Sequence, residues 1–209
     1  MKIIWLRHGQ ADNNLSHVIE SRLNSPANLT AKGRQQVELA AASPSLQNIA
    51  AVYVSPLNRT RQTYEVAAAH NSAIKAAPQF LEIALKEINQ GAYEGKNVGR
   101  FPLVFPFGWQ KFFGLIGGRN FHLGGGESYH DVECRIGEWL LKIAKIYPMN
   151  ATILAISHAD TILAAQFLAR EIDRHNPRAR IPKNASLTVT KFSRKDFAKL
   201  KSLLKSGKI

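Results

Sequence analysis

The feature that most limits what this chain can become is the passage Lys2 to Gly9, KIIWLRHG. Ile3, Ile4, Trp5 and Leu6 form an unbroken apolar run, the pattern of a strand buried on both faces of a parallel sheet. The run stops at Arg7, His8 and Gly9. A cation and an imidazole at the carboxyl end of a buried strand stand where open α/β sheets place their ligand sites. Gly9 allows a sharp turn and a close approach by a ligand. The expectation is that His8 attacks a phosphoryl group and Arg7 helps to hold it.

Two later apolar segments repeat the pattern. Ala50 to Val54 reads as a strand and runs into SPLNRTRQT. Ser55 is read as a helix cap, with Pro56 in the first turn, which puts Arg59 near a helix N-terminus where an anion is favoured. Arg59 and Arg61 compete for that role, because they point about 200° apart on a helix. Thr152 to Ile156 reads as another buried strand and is followed by SHAD, which puts His158 at a third strand end. Pro78 to Leu85 is read as a further strand leading to Glu87, and residues 10–28, with Asn13 and Asn14, as a polar loop. Helices are expected over 31–42, capped by Thr30, from Ser128 to about Tyr147, through DTILAAQFLAREI, and over 195–205; a strand is expected over 184–192.

Strands alternating with helices predict an α/β fold: a three-layer sandwich with a mostly parallel central sheet and helices on both faces. Right-handed crossovers then bring the strand ends to one edge. That edge would collect two imidazoles and two guanidiniums, with no thiol. No third histidine or carboxylate has metal-ligand spacing relative to His8 and His158, and two cations would repel a metal. No metal and no cofactor are therefore expected. His17, His70, His122, His130 and His175 are assigned to surface or loops.

Composition limits the alternatives. A length of 209 residues suits one domain, 1–209, with residues 96–127 as an inserted cap. That stretch is dense in Phe, Pro and Gly and has no clean period. One cysteine, Cys134, excludes an internal disulfide framework and fits a reducing compartment. With no signal peptide or membrane span legible, a cytoplasmic location and no membrane partner are expected. Net charge is +13, of which +9 falls between Arg170 and Ile209. Steering of anionic substrates ranks above nucleic-acid binding, because this basic region has no interleaved aromatics and no nucleic-acid motif.

Taken in order, LRHGQADNN, NLTAKGRQQ, SPLNRTRQT, LKEINQGAYEG, GGESYHDV and ISHAD resemble the motifs of the histidine phosphatase superfamily, the phosphoglycerate mutase-like family. Gln10, Ala11 and Ala159 depart from its common residues. The resemblance selects Arg59 over Arg61. It implies a phosphatase in which His8 becomes a phosphohistidine and Arg7, Arg59 and His158 bind phosphoryl oxygens. Glu87 would act as acid and then base, which implies a raised pKa in the Michaelis complex, and Asn14 would add a hydrogen bond. The implied partner is a small phosphorylated substrate or a phosphoprotein. The rival readings are a cofactor-dependent phosphoglycerate mutase and a non-catalytic module that binds a phosphorylated ligand. AYEG and the short chain favour the phosphatase.

Overall fold

The computed structural model describes residues 1–97, 118–173, 175–176, 178–207 and 209. Most of the expected 96–127 cap lies outside the described residues. Five strands form one sheet in the order β3-β2-β4-β1-β5. They are β1 (Lys2–Arg7), β2 (Ile49–Val54), β3 (Gln79–Leu81), β4 (Thr152–Ser157) and β5 (Leu187–Lys191). The pairs β1/β4, β2/β4 and β2/β3 are parallel, and β5 runs antiparallel along β1.

The continuous apolar runs have the expected consequence. Ile3 and Trp5 face one core with Ile153 and Ala155, while Ile4 and Leu6 face another with Leu154 and Ile156. The first core is closed by α5 (Tyr129–Ile146), α6 (Ala159–Ile172) and α7 (Arg194–Lys205). The second is closed by α2 (Ala31–Ala41), α3 (Asn58–His70) and α4 (Ser72–Ala76). Helices therefore cover both faces, and the fold is the expected α/β sandwich. Among the described residues, no helix is long and apolar enough to cross a membrane.

Local sequence explains where the helices begin. Thr30 accepts a hydrogen bond from Gly33 N at 2.9 Å, and Ser128 and Asp131 form a reciprocal capping box on α5. The start of α2 also grips the loop after His8. A Cβ on Gly9 would lie 2.3 Å from the Gly33 carbonyl oxygen, and one on Gly33 would lie 2.0 Å from that of Gln10. Only glycines permit this contact, which fixes the backbone on which His8 stands.

Three sequence expectations need correction. The loop at 10–28 contains a short helix, α1 (Asp12–Ser16). The third strand stops at Leu81, because Ile83–Leu85 turns into a 3-10 helix capped by the Glu82 side chain. Ser55 does not cap α3. The helix starts two residues later than Ser-Pro suggested, with Leu57 in the cap position and no side-chain cap bond.

Candidate active site

Four strand-end or first-turn residues meet at one edge of the sheet. Arg7 closes β1, and His8 follows it. Arg59 sits in the first turn of α3 after β2, and His158 directly follows β4. The His8 and His158 rings are 5.2 Å apart between centroids. Arg59 Nε donates to His8 Nε2 at 3.2 Å. A cleft of about 290 Å³ opens here, lined in part by Arg7, His8, Asn14, Arg59, Glu87 and Asp160. His158 lies fully buried behind it. Arg61 is exposed, whereas Arg59 is 2 % exposed. His17 is exposed in the loop after α1 and also lines the cleft.

The hydrogen bonds fix the state of the first imidazole. His8 Nδ1 lies 2.7 Å from the carbonyl oxygen of Gly9. A carbonyl can only accept, so Nδ1 carries the proton and Nε2 keeps its lone pair. Burial, with the charges of Arg59 and Arg7, lowers the His8 pKa well below the usual imidazole range. His8 is thus a neutral ring presenting an unprotonated nitrogen at physiological pH.

The second imidazole is oriented by a different partner. His158 Nε2 is 2.8 Å from Ser55 Oγ. With Ser55 donating, Nε2 accepts and Nδ1 bears the hydrogen. Burial, then Arg59, His8 and Arg7, also lowers its pKa. Sequence reasoning misread Ser55 as a cap because the Ser-Pro pattern is a common helix start. The partner of its hydroxyl is 103 residues away, and no local pattern announces it.

Three buried nitrogens at this edge, Arg7 Nε, Arg59 Nη1 and His158 Nδ1, have no hydrogen-bond partner among the described residues, and neither have two oxygens of residues lining the cleft, Asn13 Oδ1 and Gln90 Oε1. Buried donors left unpaired cost about 1–3 kcal/mol each. Their other atoms are anchored: Arg7 Nη1 donates to Pro182 O, and Arg59 Nη2 to Glu20 O, both at 2.7 Å. Burial brings the Arg59 pKa down to about 10, which still leaves it charged. Two fixed cations, unpaired donors and a neutral imidazole with an unprotonated nitrogen give the site the charge and polarity that an oxyanion would match.

Glu20, Glu87 and Asp160 all line the same cleft. Glu87 Oε1 accepts from Ile88 N at 3.0 Å, Thr161 N at 3.2 Å and Thr161 Oγ1 at 3.3 Å. Asp160 Oδ1 accepts from the Tyr129 hydroxyl at 2.5 Å. Burial and the charge of Glu87 raise the Asp160 pKa to about 7. Sequence reasoning missed Asp160. An acid at the start of a helix looks like ordinary support for the helix dipole, and the available signal was its position two residues after His158 in an otherwise apolar segment. Asn14 lies in the cleft, with Oδ1 accepting from Ala11 N and Asn184 Nδ2 at 3.0 and 3.1 Å. Among the described residues no cluster of His, Cys, Asp and Glu is arranged to hold a metal.

Residues 3–203 match the family model described as "Histidine phosphatase superfamily (branch 1)". Phosphoserine phosphatase 1 of Hydrogenobacter thermophilus is 26% identical over 159 residues, covering 76% of this chain and 71% of that protein. A 2,3-bisphosphoglycerate-dependent phosphoglycerate mutase of Thermoplasma acidophilum is 28% identical over 193 residues, covering 90% and 86%. Among solved structures, a mycobacterial glucosyl-3-phosphoglycerate phosphatase complexed with VO3 superposes with a TM-score of 0.71 at 22% identity, covering 90% of this chain and 91% of that one. That last likeness concerns the fold.

Proposed function

We propose that this chain, which belongs to the histidine phosphatase superfamily, hydrolyses phosphomonoesters through a phosphohistidine on His8. The observation that carries the reading is the tautomer of His8. Its Nδ1–H is committed to Gly9 O, and its unprotonated Nε2 accepts from Arg59 Nε at 3.2 Å. The lone pair of Nε2 forms the N–P bond as the bond from phosphorus to the ester oxygen breaks. Arg7, Arg59 and the Nδ1–H of His158 hold the phosphoryl oxygens as charge builds on them.

Glu87 and Asp160 act as the acid–base pair. Asp160 carries a proton near neutral pH, held there by burial and by the charge of Glu87. The leaving oxygen takes that proton and departs as an alcohol. Water then attacks phosphorus and returns a proton to the pair, while the N–P bond breaks and His8 is restored. Hydrogen bonds from Ile88 N and Thr161 N to Glu87 Oε1 hold its carboxyl in place, and Glu87 Oε2 exchanges the proton. Asn14 Nδ2, its carbonyl oxygen already occupied, adds a donor to the phosphoryl group.

A mutase is the second reading, favoured by the match to the Thermoplasma enzyme over 90% of this chain. A panel of phosphomonoesters assayed for phosphate release, beside 3-phosphoglycerate with a bisphosphoglycerate primer, separates the two. Release of phosphate by the parent but not by His8→Ala is expected. Interconversion of phosphoglycerates outrunning phosphate release would replace this reading with the mutase.

A further inference from the structure

A second groove of about 490 Å³ adjoins the reaction cleft, and Ile181 lines both. Its lining includes Arg178, Arg180 and Lys183 and no Asp or Glu. All three cations are exposed, and among the described residues none of them forms an ion pair. The loop that carries them is nonetheless held firmly. Buried Gln166 bonds Arg180 N and Arg180 O at 3.0 and 2.9 Å, and Arg7 donates to Pro182 O. At the site end, Asn184 Nδ2 and Ala185 N both donate to His8 O. The backbone is thus stitched to the catalytic edge while its charged side chains face solvent.

The other wall of this groove is Leu187, Thr188 and Val189 of β5. Among the described residues this strand is a sheet edge. Phe192 N donates to Met1 O and Arg7 N to Ser186 O, so the even-numbered residues of β5 bond inward to β1. Leu187, Val189 and Lys191 then direct their N–H and C=O outward. Asn176 closes the far end of that edge: its Nδ2 donates to Lys191 O at 3.2 Å, and its Oδ1 accepts from Lys191 N at 3.0 Å. The outward groups of Leu187 and Val189, beside the cleft, have no partner among the described residues. Open edges of this kind invite an added strand.

We propose that this edge and its three cations dock an extended, acidic peptide segment whose phosphorylated residue enters the His8 cleft. The proposal rests on the phosphatase reading above. A strand added to β5 would hydrogen-bond to Leu187 and Val189, and at about 3.4 Å per residue its next few residues reach either Ile181 and the cleft or the cations. Acidic side chains two to five positions from the phosphoresidue therefore meet Arg178, Arg180 and Lys183. A second copy of this chain is a poorer occupant, because edge-to-edge pairing would bring two sets of like charges together. A small anion would leave the outward backbone groups unmet.

The test compares kcat/KM for phosphoserine peptides carrying Asp, Ala or Lys on either flank, with p-nitrophenyl phosphate and phosphoserine as references. An acidic flank on one side is expected to raise kcat/KM about tenfold over the neutral peptide through KM, with the gain shrinking in high salt. Arg178→Ser/Arg180→Ser should abolish that gain and leave p-nitrophenyl phosphate turnover unchanged. Val189→Pro, which removes an outward donor on an edge strand where proline is tolerated, should lower peptide turnover alone. Equal rates for all flanks, or equal losses on peptide and phosphoserine in the double variant, would overturn the docking proposal. Absence of p-nitrophenyl phosphate hydrolysis would instead overturn the phosphatase reading.

Discussion

The floor of the cleft and its rim both rely on arginines, yet they use them in opposite ways. On the floor, Arg59 is 2 % exposed and tied by Nε and Nη2 to His8 and Glu20. At the rim, Arg178 and Arg180 are exposed, and among the described residues only the backbone of Arg180 is engaged. Buried charges act in a low dielectric and resist salt, whereas exposed ones are screened within about 8–10 Å at physiological ionic strength. On the proposed mechanism, the floor stabilises charge that develops during reaction. The rim can only raise the local concentration of suitable partners and choose among them.

Substitution of the floor's arginines should therefore be blind to what a substrate carries at the rim. Arg59→Ala is expected to lower kcat by about 10²–10³, as the loss of one oxyanion donor does elsewhere. Steady-state rates on a neutral aryl phosphate and on an acidic phosphopeptide should fall by the same factor. A loss confined to the peptide would move Arg59 from the floor to the rim.

Asp160→Asn should have the next largest effect, and its signature is pH. The group holds its proton below a pKa of about 7, so parental turnover of alkyl phosphates should decline as pH rises through that value. The variant should lose about 10²-fold on alkyl phosphates and show no such alkaline limb. It should lose much less on p-nitrophenyl phosphate, whose leaving group departs as a stable anion. An unchanged pH profile would remove Asp160 from the proton path.

Ser55→Ala is expected to cost about tenfold, the equivalent of one hydrogen bond. Without the hydroxyl donor, His158 no longer favours the tautomer with hydrogen on Nδ1. Because that donor acts on charge formed in the transition state, kcat should carry the loss and KM should stay near the parental value. Ser55→Thr, which keeps the hydroxyl, should restore most of the rate. A loss in KM alone would make Ser55 a packing residue.

The same contrast explains what could be read in the sequence. Floor residues follow buried strands, and buried strands betray themselves by unbroken apolar runs. Ile3–Leu6 and Thr152–Ile156 therefore located His8 and His158, and the mostly parallel sheet with helices on both faces followed. Arg59 was legible as a residue shortly after β2, although the local reasoning behind it was partly mistaken, since the helix starts at Asn58 and Ser55 serves His158. Asp160 escaped because its neighbour Glu87 is 73 positions earlier, and the repulsion between them exists only in the fold. At the rim, the excess of positive charge was visible in the composition. Its concentration after Arg170 was visible too, but not its place in the fold, because residues 178–186 have no period and owe their course to side-chain bonds from Arg7, Gln166 and Asn184.

The central claim is that His8 Nε2 is the nucleophile, and rapid quenching after mixing with a ³²P-labelled phosphomonoester tests it most directly. The label is expected on the protein in an acid-labile, alkali-stable linkage that maps to His8, forms no slower than turnover and is absent from His8→Ala. Labelled phosphate released at the full rate with no protein-bound label at any time, or by His8→Ala at the parental rate, would contradict it.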